Sequence, residues 1–255
     1  MGQRRAGAAR LPAFFFADVI IDRGRNMDLA PSTLAQWAGA MATSAAVLVA
    51  LFRDWLLGLF WYPNLSLRIL PEPPDYVKTP IQVGNTSGIL WTGDAYFLRL
   101  WIENTGNRRA EKVQVFVSKV LREQADRSFK PVPGFLPMNL RWSNTDFNNP
   151  EIYADGISPQ MGKHCDLASI SDPKNPTLIS IPSVPAGQVT LDLWLEVFPA
   201  TLSHGLSPGT YKIELTTAGS NCEPEVHRIM VNVTGRWFDD ERTMFSQGVG
   251  VKRLD

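Results

Sequence analysis

The 255-residue chain carries 25 basic and 25 acidic side chains, so its formal net charge is zero. A neutral chain without a stripe of Lys and Arg between aromatic residues lacks the basic surface that nucleic-acid binding requires, so no nucleic acid is expected as a partner. Two cysteines, Cys165 and Cys222, are too few for a disulfide framework, although one disulfide could form in an oxidising compartment.

Residues 1–28 are predicted to be a disordered tail or an upstream over-extension of the chain. Arginines surround a short apolar patch over residues 14–16, which is too short to cross a bilayer and shows no convincing period. Met27 follows this segment and would make a plausible natural start.

The most informative segment lies between Leu29 and Phe52, where 24 residues carry no charged side chain. A helix over residues 34–52 would be about 28 Å long, close to the ~30 Å hydrocarbon thickness of a bilayer. Thr33 and Gln36 fit a capping box that would start this helix, and Pro63 would end it. We therefore predict a single transmembrane helix within residues 29–62.

Aromatic and basic residues flank the apolar segment, as expected at two membrane–water interfaces. Trp37 lies near one end, and the residues predicted at the other interface are Arg53, Trp55, Trp61 and Tyr62. A buried core helix would show a polar stripe, and a cleaved signal peptide would be followed by a small-x-small site; the sequence shows neither feature. The helix is therefore expected to stay attached as an anchor in the lipid bilayer.

Ala38, Ala42, Ala46 and Ala50 recur every fourth residue and therefore share one face of the helix. Small residues at this spacing let two transmembrane helices approach closely, so these alanines are predicted helix–helix contacts of a homo-oligomer. An Ala-rich segment also produces such spacing through its composition alone, and this second interpretation stays open.

The distribution of positive charge predicts the orientation of the helix. If the chain starts at Met27, no Lys or Arg precedes the helix, whereas Arg53 and Arg68 follow it. Because positive charge stays on the inner side of a membrane, the large C-terminal domain is expected to be cytoplasmic. If residues 1–26 are present, Arg23 and Arg25 balance the count and the orientation is undetermined.

Period-two alternation of apolar residues dominates residues 63–255 and predicts strands that bury one face. Strands are predicted over residues 65–69, 95–103, 113–117, 139–143, 178–183, 189–197, 210–217 and 226–233. The segment 189–197 shows the clearest alternation, with one face formed by Leu191, Leu193, Leu195 and Val197. The fold class is therefore predicted to be mainly β, with an antiparallel immunoglobulin-like β-sandwich following the single transmembrane helix.

Two regions of this domain are candidate contact surfaces. Residues 129–176 are rich in Pro, Asn and Asp and are expected to form long loops with one or two edge strands, where binding function is common. Trp101 and Trp194 are expected to point outward from their strands. Such tryptophans either form a contact patch or pack under a loop, and both interpretations stay open.

The segment 96–117 resembles a hairpin of bacterial immunoglobulin-like domains, because an alternating strand ends in Asn104-Thr-Gly106 and a Val-rich strand follows. Residues 29–240 together resemble a group of uncharacterised bacterial single-pass membrane proteins with a C-terminal immunoglobulin-like domain. This resemblance implies an architecture and carries no activity, cofactor or site residue. The matching pieces are Trp61-Tyr-Pro63, His164-Cys-Asp166, Leu206-Ser-Pro-Gly-Thr-Tyr211 and Gly235-Arg-Trp237-Phe-Asp-Asp240.

No catalytic residue, cofactor or metal ligand is predicted. The sequence contains three histidines and none of the patterns CxxC, HxxxH, HExxH, GxSxG, GxxxxGK or GxGxxG. His164, Cys165 and Asp166 are potential metal ligands in succession, but neighbours on a strand point to opposite faces and cannot easily hold one ion.

The sequence favours a non-enzymatic, membrane-anchored protein whose β-sandwich binds a protein partner as a sensor or scaffold. One alternative is a membrane-disrupting effector, such as one in bacterial defence, whose helices oligomerise. Another is a carbohydrate-active hydrolase, which would be favoured by a deep pocket lined by two close carboxylates.

Overall fold

The computed structural model describes residues 31–85, 87–145, 154–175, 184–185 and 187–254. Contacts between residues divide the chain into two compact units, Met1–Asp54 and Trp55–Asp255. The tail predicted over residues 1–28 and the strand predicted over residues 178–183 lie outside the described residues.

The apolar segment forms one helix, α1 (Pro31–Phe60). Within α1, the segment Ala35–Arg53 is long and apolar enough to cross a membrane, and none of this segment is buried within the protein. The helix begins three residues before the start that the capping box predicted at Leu34. Pro31 suits the first helical position because its fixed φ fits the helix and its missing N–H would have no partner there.

The remaining described residues are predominantly β-strand. Fourteen strands are present among them: β1 (Leu65–Arg68), β2 (Tyr76–Asn85), β3 (Gly88–Asn104), β4 (Ala110–Glu123), β5 (Phe129–Pro131), β6 (Met138–Asn139), β7 (Arg141–Trp142), β8 (Ala154–Ile157), β9 (Gly162–Ser171), β10 (Leu191–Leu193), β11 (Gly205–Leu206), β12 (Gly209–Gly219), β13 (Cys222–Val233) and β14 (Val249–Arg253). A short helix α2 (Glu241–Thr243) continues into a π-helical turn (Met244–Gly248) before β14.

The strands form two seven-stranded antiparallel sheets. The first sheet has the order β1-β3-β9-β10-β11, with β2 also paired to β3 and β7 to β9. The second has the order β14-β13-β12-β4-β5, with β6 and β8 also paired to β4. One hydrophobic cluster collects buried residues of both sheets, including Tyr96 and Leu100 of the first and Val115, Ile213 and Val231 of the second.

The burial of alternate residues confirms most of the predicted strand faces. Leu98 and Ile102 of β3 are fully buried, as are Leu191 and Leu193 of β10. Val197 is instead 63% exposed, so its predicted place in the core is wrong. β10 ends at Leu193 and the chain bends near residues 196–197, so the alternation no longer decides which side chain is buried.

Two predictions about connections are also wrong. β3 and β4 do not pair as a hairpin, because β3 belongs to the first sheet and β4 to the second. The turn after β3 therefore carries the chain from one sheet to the other, and both strands bury apolar faces in the same core. The described part of residues 129–176 is not mainly loops, since it contains five strands, and one of them, β9, lies between β3 and β10 in the first sheet.

Asn104 holds the connection between the sheets. Its fully buried side-chain amide donates to the carbonyls of Arg108 (2.7 Å) and Ile157 (2.9 Å). Its side-chain oxygen accepts the backbone N–H groups of Asn64 (3.1 Å) and Gly106 (3.0 Å). This set uses both donors and both acceptor sites of the amide, which satisfies the buried polar group fully.

Candidate functional site

The outward face of the first sheet carries a cleft of about 700 Å³, which we call the outer cleft. This volume lies in the range of small-molecule sites, roughly 300–1,000 Å³. β2, β3, β9 and β10 contribute to it, together with Phe198 and His204 from the connection between β10 and β11. The lining residues are Ile81, Gln82, Val83, Gly84, Ala95, Phe97, Ser169, Ser171, Asn175, Asp192, Trp194, Phe198 and His204.

Strand register brings the central residues of the outer cleft together. Phe97 of β3 lies opposite Ser169 of β9, and Ser169 lies opposite Asp192 of β10. Residues paired directly across antiparallel strands project from the same face of a sheet. Each of these residues alternates with buried apolar neighbours, so the packing of the core turns all of them outward into the cleft.

Asp192 supplies a desolvated carboxylate to the outer cleft. Its hydrogen-bond partner in the described part of the chain is the hydroxyl of Thr190, at 3.2 Å. The ion pairs between described residues involve other carboxylates. Burial raises the pKa of Asp192 to about 6, because removal from water disfavours the charged form, and the Thr190 hydroxyl offsets this only partly.

His204 supplies a buried imidazole whose hydrogen-bonding capacity is unused. The side chain is 1% exposed, and neither ring nitrogen has a hydrogen-bond partner among the residues that the structure describes. Burial lowers the pKa of His204, so the neutral ring is favoured near pH 7. An unsatisfied buried polar group costs about 1–3 kcal/mol. Both ring nitrogens are covered by neighbouring atoms, so a ligand in the cleft would recover this free energy only if the ring turned toward it.

Three aromatic rings form an apolar row along the outer cleft. The ring centroids of Phe97 and Trp194 are 5.6 Å apart, and those of Trp194 and Phe198 are 6.5 Å apart. The guanidinium of Arg99 stacks over Phe97, and that of Arg141 stacks over Trp194 and Phe198. These contacts hold the rings in place, so the row presents a preformed surface to a ligand.

Arg141 stands behind the aromatic row without lining the cleft. Its Nε donates to the carbonyl of Leu195 and one terminal nitrogen donates to the carbonyl of Glu196, both at 3.0 Å. The side chain is nearly buried. These bonds fix the irregular segment after β10, which delivers Phe198 toward the cleft.

A second polar cluster on the same sheet has a structural role. The buried carboxylate of Asp75 lies 3.0 Å from Nε2 of His164 and also accepts the backbone N–H of Leu70 at 3.0 Å. Asp166 accepts from Ser143 (2.6 Å) and Arg99 (3.1 Å). Each carboxylate is therefore already engaged by neighbouring side chains or backbone.

The succession His164, Cys165, Asp166 does not converge on one point. His164 bonds to Asp75 and Asp166 bonds to Arg99, whereas the buried Cys165 donates its S–H to the carbonyl of Arg141 at 3.2 Å. Within the described ranges, no group of three or more His, Cys, Asp or Glu side chains is placed to hold a metal ion. Cys165 and Cys222 are both free thiols, and burial raises the pKa of each.

A second cleft, of about 960 Å³, lies between residues 71–73 and the short helix α2. Its Asp240 carboxylate caps α2 by accepting the N–H (2.8 Å) and hydroxyl (2.6 Å) of Thr243. These hydrogen bonds lower the pKa of Asp240. The carboxylate is thus used within the fold, which makes this cleft a weaker candidate than the outer cleft.

The site residues predicted in and beside the helix are exposed in the structure. Four of the predicted membrane-interface residues, Trp37, Trp55, Trp61 and Tyr62, each have more than half of their surface exposed. Arg53 is also exposed, and so are all four alanines of the predicted helix–helix face: Ala38, Ala42, Ala46 and Ala50.

The outer cleft was missed as a site at the sequence level. Asp192 and Trp194 alternate with buried leucines. The outward placement of a carboxylate beside a tryptophan was the one sequence feature that could have indicated a binding site here. His204 and Phe198 lie in an irregular segment that carries no period.

No protein-family model, curated protein or solved structure matches this chain.

Proposed function

We propose that this chain is a single-pass membrane protein whose β domain binds a small ligand in the outer cleft, without catalysing a reaction on it. The observation that carries the proposal is a cleft of about 700 Å³ that holds the desolvated Asp192 and the ring of Trp194, beside a His204 imidazole without a hydrogen-bond partner among the described residues. Such a protein would act as a sensor or scaffold that responds to its ligand at the membrane. Helix α1, with a segment long and apolar enough to cross a bilayer, supports the anchor.

Finer features of the architecture belong to the same proposal. The two sheets would form an immunoglobulin-like sandwich of the kind found in the bacterial membrane proteins that the sequence resembles. Support comes from a hydrophobic cluster that collects buried residues of both sheets. The balance of positive charge after α1 supports a cytoplasmic β domain if the chain starts at Met27.

Binding is favoured over glycoside hydrolysis by the number of carboxylates in the outer cleft. Hydrolases of this kind use two carboxyl groups roughly 5–10 Å apart, one on each side of the scissile bond. Among the described lining residues, Asp192 is the one carboxylate. A single acid beside a neutral imidazole can hold a ligand, but it does not supply the acid–nucleophile pair of that reaction.

A membrane-disrupting effector is the second candidate function. The observation that favours it is the uncovered alanine face of α1, formed by Ala38, Ala42, Ala46 and Ala50. Clustering of several copies through this face would assemble α1 helices side by side in the bilayer. In this version, ligand binding by the β domain would trigger the assembly.

Ligand binding can be tested by thermal unfolding of the full chain in a nonionic detergent, against a chemically diverse small-molecule library. A ligand at 100 times its dissociation constant stabilises the folded state by about 2.7 kcal/mol, which a shift in melting temperature reports. Trp194→Ala should abolish the shift. Trp101→Ala is the matched control, because Trp101 faces outward from the same sheet but does not line the cleft. A library without any stabilising compound, or hits unaffected by Trp194→Ala, would contradict the proposal.

A further inference from the structure

We propose that the ligand of the outer cleft carries an ammonium group, which binds between the Asp192 carboxylate and the ring of Trp194, beside the buried His204 imidazole. This inference depends on the proposed ligand-binding function and adds the chemical class of the ligand. The class follows from three properties of the cleft: its charge, its hydrogen-bonding groups and its aromatic wall.

The charge of the outer cleft is negative and uncompensated. Asp192 is ionised above about pH 6, and in the described part of the chain its polar partner is the neutral hydroxyl of Thr190. None of the described lining residues is a lysine or arginine. Asp192 is half-buried, and a carboxylate that is largely removed from water is stabilised by a nearby cation, so the missing counter-charge is expected on the ligand.

The cations nearest the aromatic row already have other partners. Arg99 forms an ion pair with Asp166 at 3.1 Å, and Arg141 donates to two backbone carbonyls. Each guanidinium also stacks on rings of the row, which shows that these rings accept cations. A ligand cation would use the same electrostatic attraction on the cleft side of Trp194, the best cation acceptor among aromatic side chains.

His204 adds a hydrogen-bond acceptor to this arrangement. Because burial favours its neutral form, one ring nitrogen carries a lone pair, and neither nitrogen has a partner in the described chain. A primary ammonium offers three N–H donors for the Asp192 carboxylate, and the covered nitrogens of His204 would accept one of them only after the ring turns toward the cleft. A charge-assisted hydrogen bond to the carboxylate is stronger than a neutral one.

Other ligand classes satisfy fewer of these groups. An anion would be repelled by Asp192, and a sugar or other polyol would satisfy hydrogen bonds while leaving the half-buried negative charge uncompensated. The cleft volume of about 700 Å³ exceeds that of an ammonium group alone. The ammonium is therefore attached to a larger body, in a soluble amine or in a lipid headgroup.

The test compares hexylammonium with 1-hexanol, which has the same chain but no charge, and with the anion hexanoate. Binding to the full chain in a polyoxyethylene detergent is measured by tryptophan fluorescence and calorimetry at pH 7.5. Hexylammonium should bind at least about 10-fold more tightly than 1-hexanol, corresponding to about 1.4 kcal/mol. Asp192→Asn should remove this preference, whereas Asp155→Asn, a change at an exposed carboxylate outside the cleft, should preserve it.

The outcomes separate this inference from the proposed function. If 1-hexanol or hexanoate binds the unmodified chain as tightly as hexylammonium or more tightly, the ammonium proposal is wrong. If Trp194→Ala abolishes that binding, the outer cleft is still a ligand-binding site. Library hits without a cationic group would overturn it as well, even if hexylammonium does not bind. The absence of any stabilising compound would overturn the proposed function itself.

A final arm distinguishes the two sources of the ammonium. Nanodiscs containing phosphatidylethanolamine or phosphatidylglycerol are added to the complex with hexylammonium. Release of hexylammonium by phosphatidylethanolamine alone would assign a lipid headgroup, and retention in both would assign a soluble amine. Both results support an ammonium ligand, whereas release by phosphatidylglycerol alone would contradict it.

Discussion

Gly106 lies so close to the backbone carbonyl of Tyr62 that a β-carbon at position 106 would collide with it. The backbone segments around Tyr62 and Gly106 also exchange hydrogen bonds. The Tyr62 N–H donates to the side-chain oxygen of Asn107 at 3.0 Å, and the Asn107 N–H donates to the Tyr62 carbonyl at 3.2 Å. The chain that connects α1 to β1 is therefore held against the turn that follows β3.

Gly106→Ala should destabilise the β domain by about 2–3 kcal/mol, because the added methyl group meets rigid backbone at Tyr62 and Asn64. Denaturant unfolding of the full chain in detergent measures this change. Gly250→Ala is the matched control, since a β-carbon there meets no atom within 4 Å, and its effect should stay within about 0.5 kcal/mol. Equal effects of the two substitutions would contradict the close packing at Gly106.

Asp192 should make folding stability fall as pH rises. Its folded-state pKa, about 6, exceeds its ordinary value of 3.8, so the folded state binds the proton more tightly than the unfolded state between these pH values. The free energy of unfolding therefore decreases from about pH 4 to pH 6 and then levels off, with a total change of up to about 3 kcal/mol.

Asp192→Asn should remove this pH dependence. The variant is expected to be more stable than the unmodified chain by about 1–3 kcal/mol at pH 7.5, with little difference at pH 4. Melting temperatures across this range provide the measurement, and Asp155→Asn should leave the profile unchanged because Asp155 is exposed. A variant that is less stable than the parent at pH 7.5 would contradict a desolvated carboxylate at position 192.

Self-association through α1 should depend on its alanine face. Ala42→Leu with Ala46→Leu should weaken the homo-oligomer, because larger side chains keep the two helices apart. Crosslinking in membranes or sedimentation in detergent measures the association. Ala40→Leu serves as the control, since residue 40 projects from the opposite side of the same helix. An unchanged oligomer in the double variant would show that the alanine spacing reflects composition alone.

The membrane anchor makes a separate prediction about topology. The full chain should sediment with membranes in the absence of detergent, because the Ala35–Arg53 segment is uncovered and apolar. The substitution Lys130→Cys, made together with Cys222→Ser, introduces a cysteine at an exposed position of the β domain. If this domain is cytoplasmic, the new cysteine should react with an impermeant thiol reagent only after cell lysis. Labelling of intact cells would place the β domain outside, and recovery of the chain in the supernatant would remove the anchor altogether.

The helix and the strand faces could be predicted from the sequence because local periodicity decides them. The run without charge between Leu29 and Phe52 forms α1, and alternation places Leu98 and Leu193 in the core. Periodicity fails where the backbone leaves regular structure, as at Val197. It also does not state which strand pairs with which, so the strands on either side of Asn104 were wrongly joined as a hairpin.

The outer cleft could not be predicted in the same way because its groups meet only through long-range pairing. Phe97 and Asp192 are 95 residues apart and share the cleft through the register of β3, β9 and β10. The environment of His204 depends on Phe198 and on the burial of an irregular segment, neither of which has a sequence signal. The outward placement of Trp194 was predicted, but its neighbours were not.

The most direct measurement of the central claim, that the outer cleft binds a ligand, is histidine-selective ¹H–¹⁵N NMR of the full chain with and without a stabilising compound from the library. The chain contains three histidines, and the other two serve as internal controls: His227 is buried in β13 and hydrogen-bonded to Thr217, and His164 is engaged by Asp75. Saturating ligand should shift the ring resonances of His204 and leave those of His227 unchanged. A bound ligand that leaves His204 unaffected would contradict the assignment of the cleft as the binding site.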